Sequence, residues 1–217
     1  MEKIRVLIAD DHQVMRRGVR AVVELLPGWE VCGEAATGRD AVDMAERLLP
    51  EIVVMDVTMP DLNGLEATRQ IKKNSPATEV LMFTGLETEE LVRQVFEAGA
   101  RSYILKTDGR EHLETALRAL AEHKPYFTTK IGEILFSRFL QGKSRTEEPS
   151  NESRLTDRER EIVQLLAEGG SNKEVADRLG ISVKTVETHR AAVMKKLQFK
   201  SFSDLVRYAI RNHIISA

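Results

Sequence analysis

A single cysteine, Cys32, stands among the 217 residues. It excludes an intramolecular disulfide and cannot alone build a cysteine-type metal site, so it reads as a buried strand residue. Long apolar runs are equally scarce, and none approaches the roughly 18 residues that a membrane-spanning helix needs. The first strand-like run, IRVLIAD, ends in acids instead of a cleavable signal pattern, which predicts a cytoplasmic protein without a membrane partner. No internal repeat is evident. A hydrophobic share of 42% and a charged share of 30% are those of a soluble globular protein and exclude wholesale disorder. The length allows one large domain or two small ones, and two fit better.

The net charge of −2 conceals an asymmetry. Residues 1–140 hold 18 Lys and Arg against 23 Asp and Glu, whereas residues 141–217 hold 14 against 11. Within 182–200, Lys184, Arg190, Lys195, Lys196 and Lys200 are opposed by Glu187 alone. Positive charge gathered on one short helical segment suits a polyanion.

Up to residue 122, short β-branched runs alternate with longer amphipathic stretches: IRVLIA then 12–26, EVCGEA then 38–48, EIVVMD then 64–73, EVLMFT then 88–98, RSYILK then 110–122. Five strand–helix repeats predict an α/β fold, a doubly wound five-stranded parallel sheet with helices on both faces. After Pro125, TKIGEILFSRFL offers a short helix, and QGKSRTEEPSNES reads as a flexible linker. From 155 onward the pattern is all helical. The expected organisation is a first domain over 1–123, a linker over 124–153 and a small four-helix domain over 154–217.

In open parallel sheets, ligands bind at the carboxyl ends of the strands. Asp10 and Asp11 end the first strand, Asp56 the third, Thr84 the fourth and Lys106 the fifth. Three carboxylates brought together repel one another unless a divalent cation holds them, and an all-oxygen, partly hydrated set suits Mg²⁺. With that charge neutralised, the Asp56 carboxylate could attack a phosphoryl group and become an acyl phosphate. Lys106 could pair with one phosphoryl oxygen and the Thr84 hydroxyl could donate to another. Taken singly, each residue has a plainer role as a helix cap, a strand end or a solvated charge. Their joint placement on one sheet edge argues for a site.

At these positions the chain resembles a CheY-like receiver domain, on DDH at 10–12, DVTMPDLNG at 56–64, Thr84, and Lys106 preceded by the aromatic Tyr103. The resemblance covers about 120 residues. It implies Asp56 as phosphoacceptor, Asp10, Asp11 and Asp56 with the Thr58 carbonyl around Mg²⁺, and Thr84 with Tyr103 as a switch pair. Tyr103 fits ordinary packing about as well.

In the second half, TDRE at 156–159 and SNKE at 171–174 match the capping box and set helix starts at 157 and 172. The first helix is expected to bury Ile162, Val163, Leu165 and Leu166, the second Val175, Ala176 and Leu179. A sharp turn at GIS then leads into 183–197. On that helix Val186, Val193 and Leu197 share a face with His189, and at 100° per residue Lys184, Thr188, Ala191 and Lys195 point the opposite way. A short, polar, basic face fits a major groove.

The segment LTDREREIVQLLAEGGSNKEVADRLGISVKTVETHRAAVMKKL, followed by KSFSDLVRYAI, resembles the LuxR-type helix-turn-helix of NarL/FixJ-class response regulators. This implies a motif over 172–179 and 183–197, with Lys184, Glu187, Thr188 and Ala191 nearest the bases; Asn172, Lys173, Ser182, Thr185 and Lys195 complete the expected contact set. It also implies a sensor histidine kinase and promoter DNA as partners, a homodimer when phosphorylated, and control of transcription instead of enzymatic turnover. Two other classes remain open on the sequence. One is a Mg²⁺-dependent aspartyl-phosphate phosphatase of the haloacid dehalogenase type, which DVT fits superficially but which would need a second aspartate where Thr58 stands. The other is a protein-interaction module that never touches DNA.

Overall fold

Alternation of apolar residues along each strand decides which helices cover which side of the sheet. The computed structural model describes residues 3–141 and 155–215. These fall into two compact units, Met1–Ser144 and Arg145–Ala217. In the first, β1 (Ile4–Ala9), α1 (Gln13–Glu24), β2 (Trp29–Ala35), α2 (Gly38–Leu48), β3 (Ile52–Met55), α3 (Gly64–Asn74), β4 (Glu79–Thr84), α4 (Glu89–Glu97), β5 (Ser102–Leu105) and α5 (Gly109–Ala121) alternate strictly. They are followed by β6 (Tyr126–Phe127) and α6 (Thr129–Gln141).

All strand pairings are parallel, in the order β2-β1-β3-β4-β5-β6. On β1, β3 and β4 successive side chains divide between two cores. Leu7, Val53 and Met82 join α2, α3 and α4 through Ala41, Ile71 and Leu91. Ile8, Val54 and Leu81 join α1 and α5 through Val23 and Leu117. A strand apolar on both faces must be covered on both, which gives the three layers. The chain leaves β1 toward β2 on one side and returns to β3 on the other, so a crevice opens at the carboxyl ends of β1 and β3.

Three details differ from the expectation. Helix α1 ends at Glu24, with Leu25 as its cap, because Pro27 disfavours helical backbone at the preceding residue. Cys32 is half-buried, not buried: it is the unpaired residue of a bulge on β2, an edge strand. The sheet has a sixth strand where a linker was expected to begin. Tyr126 and Phe127 pair with Ser102 and Tyr103, and the Ser102 hydroxyl donates to the Tyr126 carbonyl at 2.6 Å. Two residues after a proline are too few to show a period. The following helix α6 buries Ile131 completely in the core beneath α4. The expected linker residues 142–153 lie outside the described residues.

The second unit comprises α7 (Asp157–Ala167), α8 (Asn172–Leu179), α9 (Val183–Lys196) and α10 (Phe202–Arg211). Thr156 with Glu159, Ser171 with Glu174 and Ser201 with Asp204 each form a reciprocal capping box. Each satisfies donors that a helix start would otherwise leave open, stabilising it by about 1 kcal/mol. Helix α8 stops at Gly180 in the left-handed conformation (φ 62°), and the chain re-enters α9 two residues later at the Ser182 cap. Val163, Val193 and Leu205 share one apolar cluster, and Ile162, Val175 and Val186 another.

Candidate functional site

The parallel register carries Asp10, Asp56, Thr84 and Lys106 to one edge of the sheet, because each directly follows or ends a strand whose neighbour ends at the same level. Main-chain bonds continue the pairing past the strand ends. Asp56 N–H donates to the Ala9 carbonyl at 2.8 Å and Lys106 N–H to the Thr84 carbonyl at 2.9 Å.

The Lys106 ammonium donates to Asp56 Oδ2 at 2.8 Å and lies 2.7 Å from Asp10 Oδ2. Asp10 and Asp56 are only 3% and 4% exposed, whereas Asp11 is exposed. The other Asp56 oxygen accepts from the Val57 N–H at 2.8 Å. Burial pushes the Asp56 carboxyl above the ordinary aspartate range, against the Lys106 hydrogen bond that pulls it down. Burial would lower Lys106, but its bonds to the two carboxylates outweigh that and hold the ammonium firmly protonated.

One ligand atom each from Asp10, Asp11, His12 and Asp56 lies within 4.8 Å of the others. One lysine charge against three carboxylates leaves negative charge that a hard cation could neutralise, and the oxygen donors suit such a cation. His12 was not among the expected site residues, although it stood in the DDH triplet. Its N–H donates to Asp10 Oδ1 at 2.8 Å, and its Nδ1 lies 2.7 Å from Asp11 Oδ1. Thr58 sits two residues beyond Asp56 in the connection to α3 and is half-buried.

That connection is held tightly against the acceptor strand. Gly64 N–H donates to the Val57 carbonyl at 2.8 Å, and Asn63 caps α3 by accepting from Glu66 N–H at 3.0 Å. A Cβ on Gly64 would stand 1.9 Å from the Asp56 carbonyl oxygen, so only glycine permits this approach.

Thr84 and Tyr103 converge on Leu86, a residue that carries no chemical mark in the sequence. The Thr84 hydroxyl oxygen accepts from Leu86 N–H at 3.3 Å, and the Tyr103 hydroxyl donates to the Leu86 carbonyl. Tyr103 is fully buried, and burial raises its phenol above the ordinary range. The next residue, Glu87, pairs with Lys130 of α6 at 2.6 Å. A chain of contacts therefore runs from the end of β4 to the helix that leads out of this unit.

In the second unit, Lys184, Glu187, Thr188, Ala191 and Lys195 are exposed on α9, as are Lys173 and Ser182, while Asn172 and Thr185 are half-buried. Val186 and Val193 are buried on the opposite face, and His189 is half-buried. Lys184 lies 3.8 Å from Glu187, a loose surface pair. Lys196 does not share that outward face: it binds Glu159 Oε2 at 3.0 Å and is part of the fold.

Comparison with known proteins agrees in both halves. Residues 6–118 match the response regulator receiver domain, and residues 153–209 match the luxR family of bacterial regulatory proteins. The chain is 37% identical over 213 residues to the transcriptional regulatory protein LiaR of Bacillus subtilis, covering 98% of this chain and all of that one. It is 36% identical over 212 residues to the response regulator protein VraR of Staphylococcus aureus, covering 98% and 99%. Among solved structures, the response regulator ChrA of a heme-sensing two-component system aligns with TM-score 0.52 and 30% identity, covering 99% of this chain and 100% of that one. The RcsB response regulator of Salmonella typhimurium aligns with TM-score 0.60 and 25% identity, covering 96% and 98%. The chain belongs to the NarL/FixJ class of two-component response regulators, a receiver joined to a LuxR-type helix-turn-helix in a DNA-binding regulator of transcription.

Proposed function

We propose that Asp56 is the phosphoacceptor, that the donor is the phosphohistidine of a sensor kinase or a small phosphodonor, and that its phosphorylation controls promoter binding by α9. The observation that carries this reading is the pair of buried carboxylates, Asp10 and Asp56, bridged by a single ammonium at the sheet edge.

Asp10, Asp11 and Asp56, with the Thr58 carbonyl, would hold Mg²⁺, which when bound screens the carboxylates from an incoming phosphate. The chain's own groups account for the rest. An Asp56 oxygen forms the new P–O bond as the P–N bond of phosphohistidine breaks, and the departing imidazole nitrogen keeps the electron pair and takes a proton from water. Lys106, already on Asp56, turns its hydrogen bond to a phosphoryl oxygen without leaving the site. Thr84 donates to another oxygen, which draws on the same hydroxyl that now meets Leu86. Positioning and electrostatics are nearly all that such a transfer requires. We read the chain as a regulator and not as a phosphatase, because Thr58 stands where a haloacid dehalogenase-type phosphatase would need its second aspartate and because residues 153–209 match a family of bacterial regulatory proteins.

Thr84 and Tyr103 are the switch pair in this reading, and Leu86, Glu87 and Lys130 extend it to α6. The second unit then contacts DNA through Asn172, Lys173, Ser182, Lys184, Thr185, Glu187, Thr188, Ala191 and Lys195, as a homodimer on paired half-sites. A cytoplasmic location goes with these partners; among the described residues no helix is long and apolar enough to cross a membrane. The test is Asp56→Asn. It should abolish acid-labile phosphate uptake and keep the native near-ultraviolet signal, and continued labelling of that variant would remove the site assignment.

A further inference from the structure

Arg190, like Lys196, is a basic residue of α9 outside the outward row, but unlike Lys196 it has no ion-pair partner among the described residues. At 100° per residue it lies well away from Lys184, Thr188, Ala191 and Lys195, on the flank of the buried face. Its guanidinium carbon stands 5.5 Å from the ring centroid of Phe202, the first residue of α10. Its Nη1 donates to Asn172 Oδ1 at 3.5 Å, and Asn172 is the first residue of α8.

The charge at this three-helix junction is uncompensated. Lys196 has Glu159, Arg158 has Glu161 and Arg207 has Asp204, but no carboxylate lies within ion-pair distance of Arg190 among the described residues. The guanidinium also sits at the amino end of α8, where the helix dipole adds further positive potential. A cation held in place without a counter-ion, beside a helix start, is electrostatically matched to an anion from outside. In helix-turn-helix proteins the first helix of the motif meets the DNA backbone while the second enters the major groove. Here α8 is that first helix, which puts the Arg190 fork beside the element that meets phosphates.

We propose that Arg190 clamps a backbone phosphate of the bound DNA, with Asn172 and the Phe202 ring holding the guanidinium in its binding pose. One of its five N–H groups is engaged by Asn172 and one face is covered by the ring. The remaining donors offer a phosphodiester a two-point contact that lysine cannot copy. Phe202 is a positioning residue: 41% exposed, it keeps the planar cation from sampling solvent. The inference rests on α9 being the DNA-contacting helix. Its rival is that Arg190 only ties three helices together.

The test uses the full chain, a duplex that the unmodified chain selects from a random pool, and a scrambled duplex of the same composition. Affinity is measured across a series of salt concentrations, with melting temperature alongside. Arg190→Met should reduce the slope of log affinity against log salt by about 0.9, the value of one neutralised phosphate. It should weaken both duplexes by the same factor and leave their ratio unchanged, because a phosphate contact carries no base information. Arg190→Lys should restore the slope but not the affinity. Phe202→Leu, which keeps every charge, should weaken binding on its own and add nothing once Arg190 is Met. An unchanged slope in Arg190→Met, or additive losses in the double variant, would overturn the clamp. Lys184→Met is measured in parallel. If it weakens binding and Arg190→Met does not, only the clamp fails; if neither does, the DNA-contacting reading of α9 fails with it.

Discussion

Gly64→Ala should disable the acceptor site by a clash of main chain with main chain. The added methyl carbon would stand 1.9 Å from the Asp56 carbonyl oxygen and 2.9 Å from its carbonyl carbon, where real contacts stay above 3.0 Å. No rotamer relieves this, so α3 and the end of β3 must part by about 1 Å, with overpacking of this kind costing roughly 1–3 kcal/mol. For a unit of this size that corresponds to a fall in melting temperature of about 3–12 °C. The sole tryptophan, Trp29, lies on β2, so its fluorescence follows unfolding of the first unit alone. The same displacement shifts the Asp56 carboxylate relative to Lys106, and a misplacement of about 1 Å lowers a rate by up to about 100-fold. Phosphate uptake from a small phosphodonor should therefore drop steeply while the second unit's helicity is untouched. Gly18→Ala is the control: a Cβ there meets nothing within 4 Å, and mid-helix alanine should stabilise by about 0.5–1 kcal/mol. A Gly64→Ala variant with unchanged melting and unchanged uptake would refute the reasoning.

Two further expectations concern regions away from the acceptor. Ile131→Ala empties a fully buried place between α6 and α4 and should destabilise by about 2–5 kcal/mol, read from the Trp29 transition; a melting temperature equal to the parent's would mean that α6 is not docked. For Glu159, burial opposes ionisation, but the Thr156 N–H and Lys196 outweigh it and hold the carboxyl below the ordinary glutamate value of 4.5. A depressed folded value contributes stability that is fully present above the unfolded value and is lost as pH falls through the folded one. Hydrogen exchange of the α7 amides, corrected for intrinsic rates, should thus show protection declining below about pH 4.5. Glu159→Gln should flatten that decline, and an equally steep decline in the variant would assign it to other carboxylates.

Periodicity made most of the first unit readable, since apolar strands between amphipathic helices leave little freedom in layer order. The capping boxes at Thr156 and Ser171 placed the starts of α7 and α8 for an equally local reason: the residues that form the box are three apart in sequence. What stayed hidden depends on long-range approach. Leu86 is an unremarkable residue in sequence, and its role comes from main-chain atoms that meet Thr84 and a tyrosine 17 positions away. His12 stood in plain view within DDH, but a histidine after two aspartates fits a helix start as readily as an ion cluster. Strand β6 escaped because its two residues acquire meaning only from Ser102 and Tyr103 beside them. Lys196 was counted with the basic segment because charge is visible in sequence, whereas its partner Glu159 lies 37 residues away.

The short sixth strand and the bulge at Cys32 have a joint consequence for how copies of this protein meet in a crowded solution. A sheet edge with a long, flat row of free N–H and C=O groups is a template onto which another chain can add. On one side β6 covers Ser102 and Tyr103 and is itself only two residues long. On the other, β2 loses its regular register with β1 between Val31 and Gly33, where the bulge twists the strand. Neither border therefore offers an extended seam, and the parallel sheet is guarded against edge-to-edge aggregation by the same two irregularities that its sequence pattern concealed.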